Sequence, residues 1–159
     1  MKIQINIKLF YFLIFLISSL SLLIAIYIEK ALGHMPCSLC LYQRIPYLLA
    51  IFVCFIGYNF NKNLIWLYLL LLIFLSSAAL SGYHTGVENN IFSELSSCKN
   101  ENINIIDKTK LLDSLKESNV SCKDVNFRIF GFSLATINFF ISIIIAAMIL
   151  FNINYEKNR

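Results

Sequence analysis

Long unbroken runs of apolar residues alternate with short polar interruptions along this chain. The runs lack the spacing of a helix that is apolar on one side only. The first, Leu9 to Ile28, is twenty residues with no charge and three serines. A second runs from about Leu41 to Phe60, apolar apart from Gln43 and Arg44 near its start. The third covers Leu64 to Tyr83 and the fourth about Ile129 to Ile153. A bilayer core about 30 Å thick takes roughly 20 apolar residues of helix, each rising about 1.5 Å. Each run therefore predicts one transmembrane helix. Only Asn61-Lys62-Asn63 separates the second from the third, and so tight a turn predicts an antiparallel hairpin. The expected architecture is a single all-α domain over residues 1–159, a four-helix transmembrane bundle. Two loops, 29–40 and 84–128, fall on one face of the membrane, with the 61–63 turn and both termini on the other.

Composition sharpens this picture. The chain is 58% hydrophobic and 14% charged, whereas soluble domains run about 45–50% apolar and about 25% charged. That excludes a disordered chain and a coiled coil. The net charge of +4 comes from 13 Lys and Arg scattered among 9 acids, not from the basic face that nucleic-acid binding needs. Lys2 and Lys8 ahead of the first run also suit a signal peptide. Twenty apolar residues followed by Glu29-Lys30 fit an anchor better, because a signal's apolar stretch is about 7–15 residues with a small-residue exit. Lys and Arg counts set orientation. The termini and the 61–63 turn carry five basic residues against the single acid Glu156, while the opposite face, with Arg44, carries eight of each. Raw count favours neither orientation; basic density favours cytoplasmic termini.

The cysteines decide the matter. Cys54 lies mid-span and reads as a small hydrophobe. Cys37 and Cys40 form a C-x-x-C, and Cys98 and Cys122 bracket the long polar loop, all four on one face. Two pairs on one side suggest two disulfides, which persist in oxidising compartments, so the loops are expected outside. Zinc ribbons place their second pair at similarly tight spacing, but here 23 residues separate Cys98 from Cys122. A structural bridge suits Cys98 and Cys122 well. It suits Cys37 and Cys40 poorly, because closing so short a loop gains little entropy, and short strained bridges tend to be catalytic. Redox activity is the best reading of Cys37-Ser38-Leu39-Cys40.

The neighbours add chemistry. Pro36 belongs just before a helix start, which sets Cys40 at the opening of the second span, where the helix dipole favours thiolate. Arg44 lies one helical turn after Cys40 on the same face, and a charge inside a span is functional by default, with snorkelling to headgroups as its bland alternative. His84, at the outer end of the third span, reads as an interfacial anchor or a proton relay. Residues 105–118 have the spacing of a short amphipathic helix, interfacial or simply packed. The sequon at Asn119 is too short a match to carry weight.

Taken together, Pro36-Cys37-Ser38-Leu39-Cys40 with Tyr42-Gln43-Arg44 resembles the quinone-facing motif of the DsbB disulfide-bond-formation family. Tyr83-His84-Thr85-Gly86-Val87-Glu88 leading to Ser97-Cys98 is similar to the same family. So is Ser121-Cys122 followed by Phe130-Gly131-Phe132-Ser133. The resemblance implies a multi-pass protein of the bacterial inner membrane, with periplasmic cysteine loops. It implies reoxidation of a periplasmic thioredoxin-fold dithiol oxidase (DsbA-like), with electrons passing to ubiquinone or menaquinone. On that basis Cys98 forms the mixed disulfide with the partner and Cys122 is its loop mate. Cys37 and Cys40 stand next to the quinone, Cys40 facing the ring, with Arg44 and His84 beside it and no metal. A monomer is expected. The rival readings are a DsbB-like paralogue with a dedicated substrate, a metal site built from Cys37, Cys40 and His34, and a non-enzymatic four-helix protein whose disulfides only brace loops.

Overall fold

The computed structural model describes residues 7–33, 36–60, 64–93, 122, 128–129 and 131–157. In chain order they form α1 (Ile7–Ala31), α2 (Ser38–Tyr42), α3 (Arg44–Asn59), α4 (Ile65–Glu88), β1 (Arg128–Ile129), β2 (Phe132–Ser133) and α5 (Leu134–Lys157). Four helical segments are long and apolar enough to cross a membrane: α1, α2 with α3, α4, and α5. Among the described residues the bundle is all-α apart from one small hairpin, in which Arg128 pairs with Ser133 and Ile129 with Phe132. Loop residues Cys98, 105–118 and Asn119, together with His34, lie outside the described residues.

Packing follows from residue size. α4 lies along α5 and α1 along α3, with α3 also against α4. At the α4–α5 seam Ser77, Ser81 and Ser142 are fully buried, and Ala78 and Ala146 nearly so. Small residues let two backbones approach where no hydrophobic effect drives them together. Ser77 and Ser142 then hydrogen-bond across the seam at 3.0 Å. Phe10, Tyr11, Tyr47, Leu67, Leu70, Phe74 and Ile149 fill the remaining core, with the Tyr47 and Phe74 rings edge to face. The opposite faces are apolar and bare: Phe52, Phe55, Leu72 and Phe151 are each about two-thirds exposed. Only lipid covers such a surface at low cost.

Helix ends differ from the sequence expectation in ways that matter for the site. The second span opens at Ser38 rather than near 41, and is interrupted at Gln43. Pro46 explains the interruption: it has no N–H for the Tyr42 carbonyl, and its ring crowds that carbonyl. A fresh helix therefore starts at Arg44, with Pro46 in its first turn, where a missing N–H costs nothing. The third span continues past 83 to Glu88, so His84 lies within the helix. It stops where Asn90 takes a left-handed φ of 57°, a conformation asparagine tolerates. Residues 91–93 then fold back, Phe92 stacking on Tyr83. The fourth span begins at Leu134, not 129, because the hairpin turns through Gly131 at φ 85°.

Gly57 marks the closest approach of α1 and α3. A Cβ there would stand 2.7 Å from a ring carbon of Tyr11, which is 1% exposed and has nowhere to move. Gly57→Ala is expected to destabilise the bundle by about 1–3 kcal/mol, the usual cost of overpacking. Reversible unfolding in detergent micelles checks this; unchanged stability would mean that the two helices separate freely.

Candidate functional site

Pro36 and the start of α2 bring the C-x-x-C to one end of the bundle. Cys37 is the N-cap of α2, with extended backbone (φ −71°, ψ 166°), and its sulfur accepts a hydrogen bond from the Cys40 backbone N–H at 3.3 Å. One turn of helix then folds Cys40 over it, and the two sulfurs stand 2.8 Å apart as thiols. The sequence reading paired these two cysteines with each other, and the structure brings their sulfurs face to face. Cys37 is buried, while Cys40 is partly exposed beside it.

The rest of the site comes from α4 and α5. His84, 3% exposed, points its Nε2 at the Cys37 sulfur, 3.6 Å away. The Glu88 carboxylate, one turn further along α4, lies 3.6 Å from the same nitrogen. On the other side of the ring, Nδ1 accepts a hydrogen bond from the Gln43 side-chain amide at 2.9 Å. Gln43 faces inward and is only 8% exposed. Its carbonyl accepts from the Asn138 amide of α5 at 3.0 Å. Asn138 in turn accepts from the Tyr47 hydroxyl and from Ser142.

Hydrogen bonds converge on Cys37. The Cys40 sulfur stands against it, His84 faces it and the Cys40 N–H caps it, and against the opposing pull of burial these contacts hold its thiol below the ordinary range. Sequence reasoning put Cys40 at the opening of the second span; with the helix starting at Ser38, the capping position belongs to Cys37.

Arg44 begins α3, and its guanidinium donates to Glu29 at the end of α1, 2.7 Å away. It thus ties the second span to the first. Cys122 is disulfide-bonded and 2% exposed, in one buried cluster with Cys37, Leu39 and Val87, against which Cys40, Leu80 and Tyr83 pack. Cys54 is buried in the main core, far along the span from this cluster. The metal alternative drew on His34, outside the described residues. The histidine beside the pair is His84, and the three donor atoms lie within 4.8 Å of one another.

A dithiol with one sulfur held as thiolate, a buried imidazole against it and a disulfide-bonded cysteine in the same cluster is equipped for thiol–disulfide exchange. The comparison with known families points the same way. Residues 7–152 match the family model described as disulfide bond formation protein DsbB. The chain belongs to the DsbB family. Its four apolar spans are those of that family's membrane bundle, and its role is that of a disulfide bond formation membrane protein. The chain is also 29% identical over 149 residues to an uncharacterized protein of Rickettsia prowazekii (strain Madrid E), across 90% of this chain and 86% of that one.

Gln43, Asn138, Tyr47 and Glu88 were not singled out from sequence. The available signal was polarity inside a span, as with Gln43 and Asn138, since polar side chains in lipid need partners. Glu88 lies one helical turn after His84, a spacing the sequence carries; the approach of Gln43, Asn138 and Tyr47 to that ring is tertiary.

The position of Cys37 yields a pH prediction. An ordinary thiol ionises near pH 8.5; with its proton affinity depressed by those contacts, Cys37 should ionise below that and remain thiolate through neutral pH. In the reduced protein, ultraviolet thiolate absorbance that is lost in Cys37→Ser should persist at pH 6. Absorbance appearing only above pH 8 would contradict the hydrogen-bond assignment.

Proposed function

We propose that this protein reoxidises a periplasmic thioredoxin-fold dithiol oxidase and delivers the electron pair to a membrane quinone, ubiquinone or menaquinone. The observation that carries the reading is the burial of disulfide-bonded Cys122 in one cluster with Cys37, against which the partly exposed Cys40 packs. On this reading two redox pairs meet inside the protein, one reached from the loop side and one from the lipid side.

The steps balance as follows. A partner thiolate attacks Cys98, forming a mixed disulfide and breaking the proposed Cys98–Cys122 bridge, with Cys122 leaving as thiolate. The second partner thiol then closes the partner's own disulfide and releases Cys98, so the partner loses two electrons and two protons. The reduced loop pair next attacks the oxidised Cys37–Cys40 bridge at Cys37, which is buried in the same cluster as Cys122, and Cys40 leaves as thiolate carrying the pair. The loop bridge re-forms as the C-x-x-C becomes the dithiol described above. Cys37 is stabilised as thiolate by its hydrogen bonds, and Cys40 passes the electrons outward as the bridge closes again.

The residues around Cys40 fit a quinone. Leu41, Tyr42 and Ile45 follow it with 48%, 49% and 48% of their surface open, an apolar and aromatic face at the end of a lipid-covered span. A bound quinone supplies a two-electron, two-proton acceptor of higher potential than a thioredoxin-like dithiol; for such a couple about 30 mV is worth roughly 1.4 kcal/mol. Loops on the periplasmic side and termini in the cytoplasm complete the reading, supported by the disulfide at Cys122 and by basic density around the termini.

A Cys40→Ser variant separates the two halves. It should lose quinone reduction and yet still accumulate the mixed disulfide between Cys98 and a DsbA-like partner, visible on non-reducing gels. Unimpaired quinone reduction would sink the role given to Cys40.

A further inference from the structure

From Tyr47 to Cys37 the buried hydrogen bonds all run one way. The Tyr47 hydroxyl donates to Asn138 Oδ1, Asn138 Nδ2 donates to Gln43 Oε1 at 3.0 Å, and Gln43 Nε2 donates to His84 Nδ1 at 2.9 Å. An imidazole nitrogen that accepts a hydrogen bond carries no proton. The single proton of the neutral ring must then sit on Nε2, the nitrogen 3.6 Å from the Cys37 sulfur. We propose that Gln43 and Asn138 are positioning residues for the redox pair, holding His84 as its Nε2–H tautomer so that a neutral N–H donor faces Cys37. The proposal deepens the reading of Cys37 as a redox cysteine and requires nothing of the quinone.

Each link has a physical reason. Gln43 has one way round that satisfies both neighbours: its carbonyl towards the Asn138 amide and its NH2 towards His84. Asn138 is kept from flipping because its carbonyl serves Tyr47 and, at 3.4 Å, Ser142. Unpaired polar groups are costly in such surroundings, so reversing one amide forces the next to reverse. The other groups facing His84 agree with this polarity. Glu88 on its own helix offers a carboxylate 3.6 Å from Nε2, and Cys37 and Cys40 from the start of the second span offer sulfurs. Arg44, the cation closest in sequence to Gln43, is engaged with Glu29. With the opposite tautomer a lone pair would face Cys37 and would take a proton from its thiol. The chain of amides thus decides whether the ring stabilises the thiolate or the thiol.

The tautomer is directly measurable, because the protein has two histidines and His34→Gln leaves His84 alone. Nitrogen-15 NMR of the histidine-labelled, reduced protein in micelles should show the Nε2–H form in the wild type. Gln43→Glu keeps the size of the side chain but replaces its donor with an acceptor, and should move a proton onto Nδ1. Gln43→Leu and Asn138→Leu should give mixed tautomers and slow alkylation of Cys37 by a small reagent roughly tenfold, the scale of one hydrogen bond to a charged group. In a His84→Ala background the same substitutions should leave that rate unchanged, since their effect runs through the ring. An Nδ1–H ring in the wild type overturns the proposal, as does a Gln43→Glu spectrum identical to it or an undiminished effect without His84. None of these readouts involves quinone or partner, so a failure here is distinct from a failure of the electron-transfer reading.

Discussion

The redox end of the bundle depends on the hydrogen bond between Gln43 and the buried His84 ring. Pro46 cannot donate to Tyr42, so the second span loses one backbone bond here, yet Gln43 keeps helical dihedrals and successive side chains stay about 100° apart. Gln43 meets His84 and Asn138, while its neighbour Arg44 reaches Glu29 of α1. Adjacent positions thereby separate an uncharged polar chain from a partly exposed ion pair.

That separation suits the medium. Charges are expensive in a lipid-covered interior, whereas amides and hydroxyls are tolerated once every donor has an acceptor. The site stabilises a thiolate with neutral donors drawn from three helices, and leaves the arginine where headgroups and water can share its charge. The same hydrogen bonds join the second span to α4 and α5, close to the seam that Ser77 and Ser142 already hold. Loosening the seam would therefore disturb the sulfur chemistry, so stability and redox function are linked through Asn138 and Ser142 in particular.

Much of this was legible in the sequence. Twenty-residue apolar runs are long enough to identify themselves, and the C-x-x-C after Pro36, with His84 and Cys122, marked the end of the bundle where chemistry belongs. The boundaries were not legible to the same degree. Ser38-Leu39-Cys40 looks like loop until Cys37 is recognised as a cap. Gly86 and Glu88 look like the end of a span although the helix continues through them, and residues 129–133 look apolar enough for helix although Gly131 turns a hairpin there. The pairing of Arg44 with Glu29 of α1 joins two spans and has no trace in spacing along one helix. The chain from Tyr47 to His84 spans positions far apart in sequence, and only folding brings them together. Cys98 and its loop, from which the partner would be recognised, lie outside the described residues.

The central claim is that the two cysteine pairs form one path ending at a quinone, and a thiol count tests it without a partner. The detergent-purified protein is reduced, freed of reductant and given a soluble ubiquinone analogue in the absence of oxygen, and free thiols are counted by mass-tag alkylation. The chain has five cysteines. The account predicts a fall from five to three as the C-x-x-C closes, and to one as the loop pair follows, with Cys54 remaining. Five thiols persisting in folded protein would contradict it.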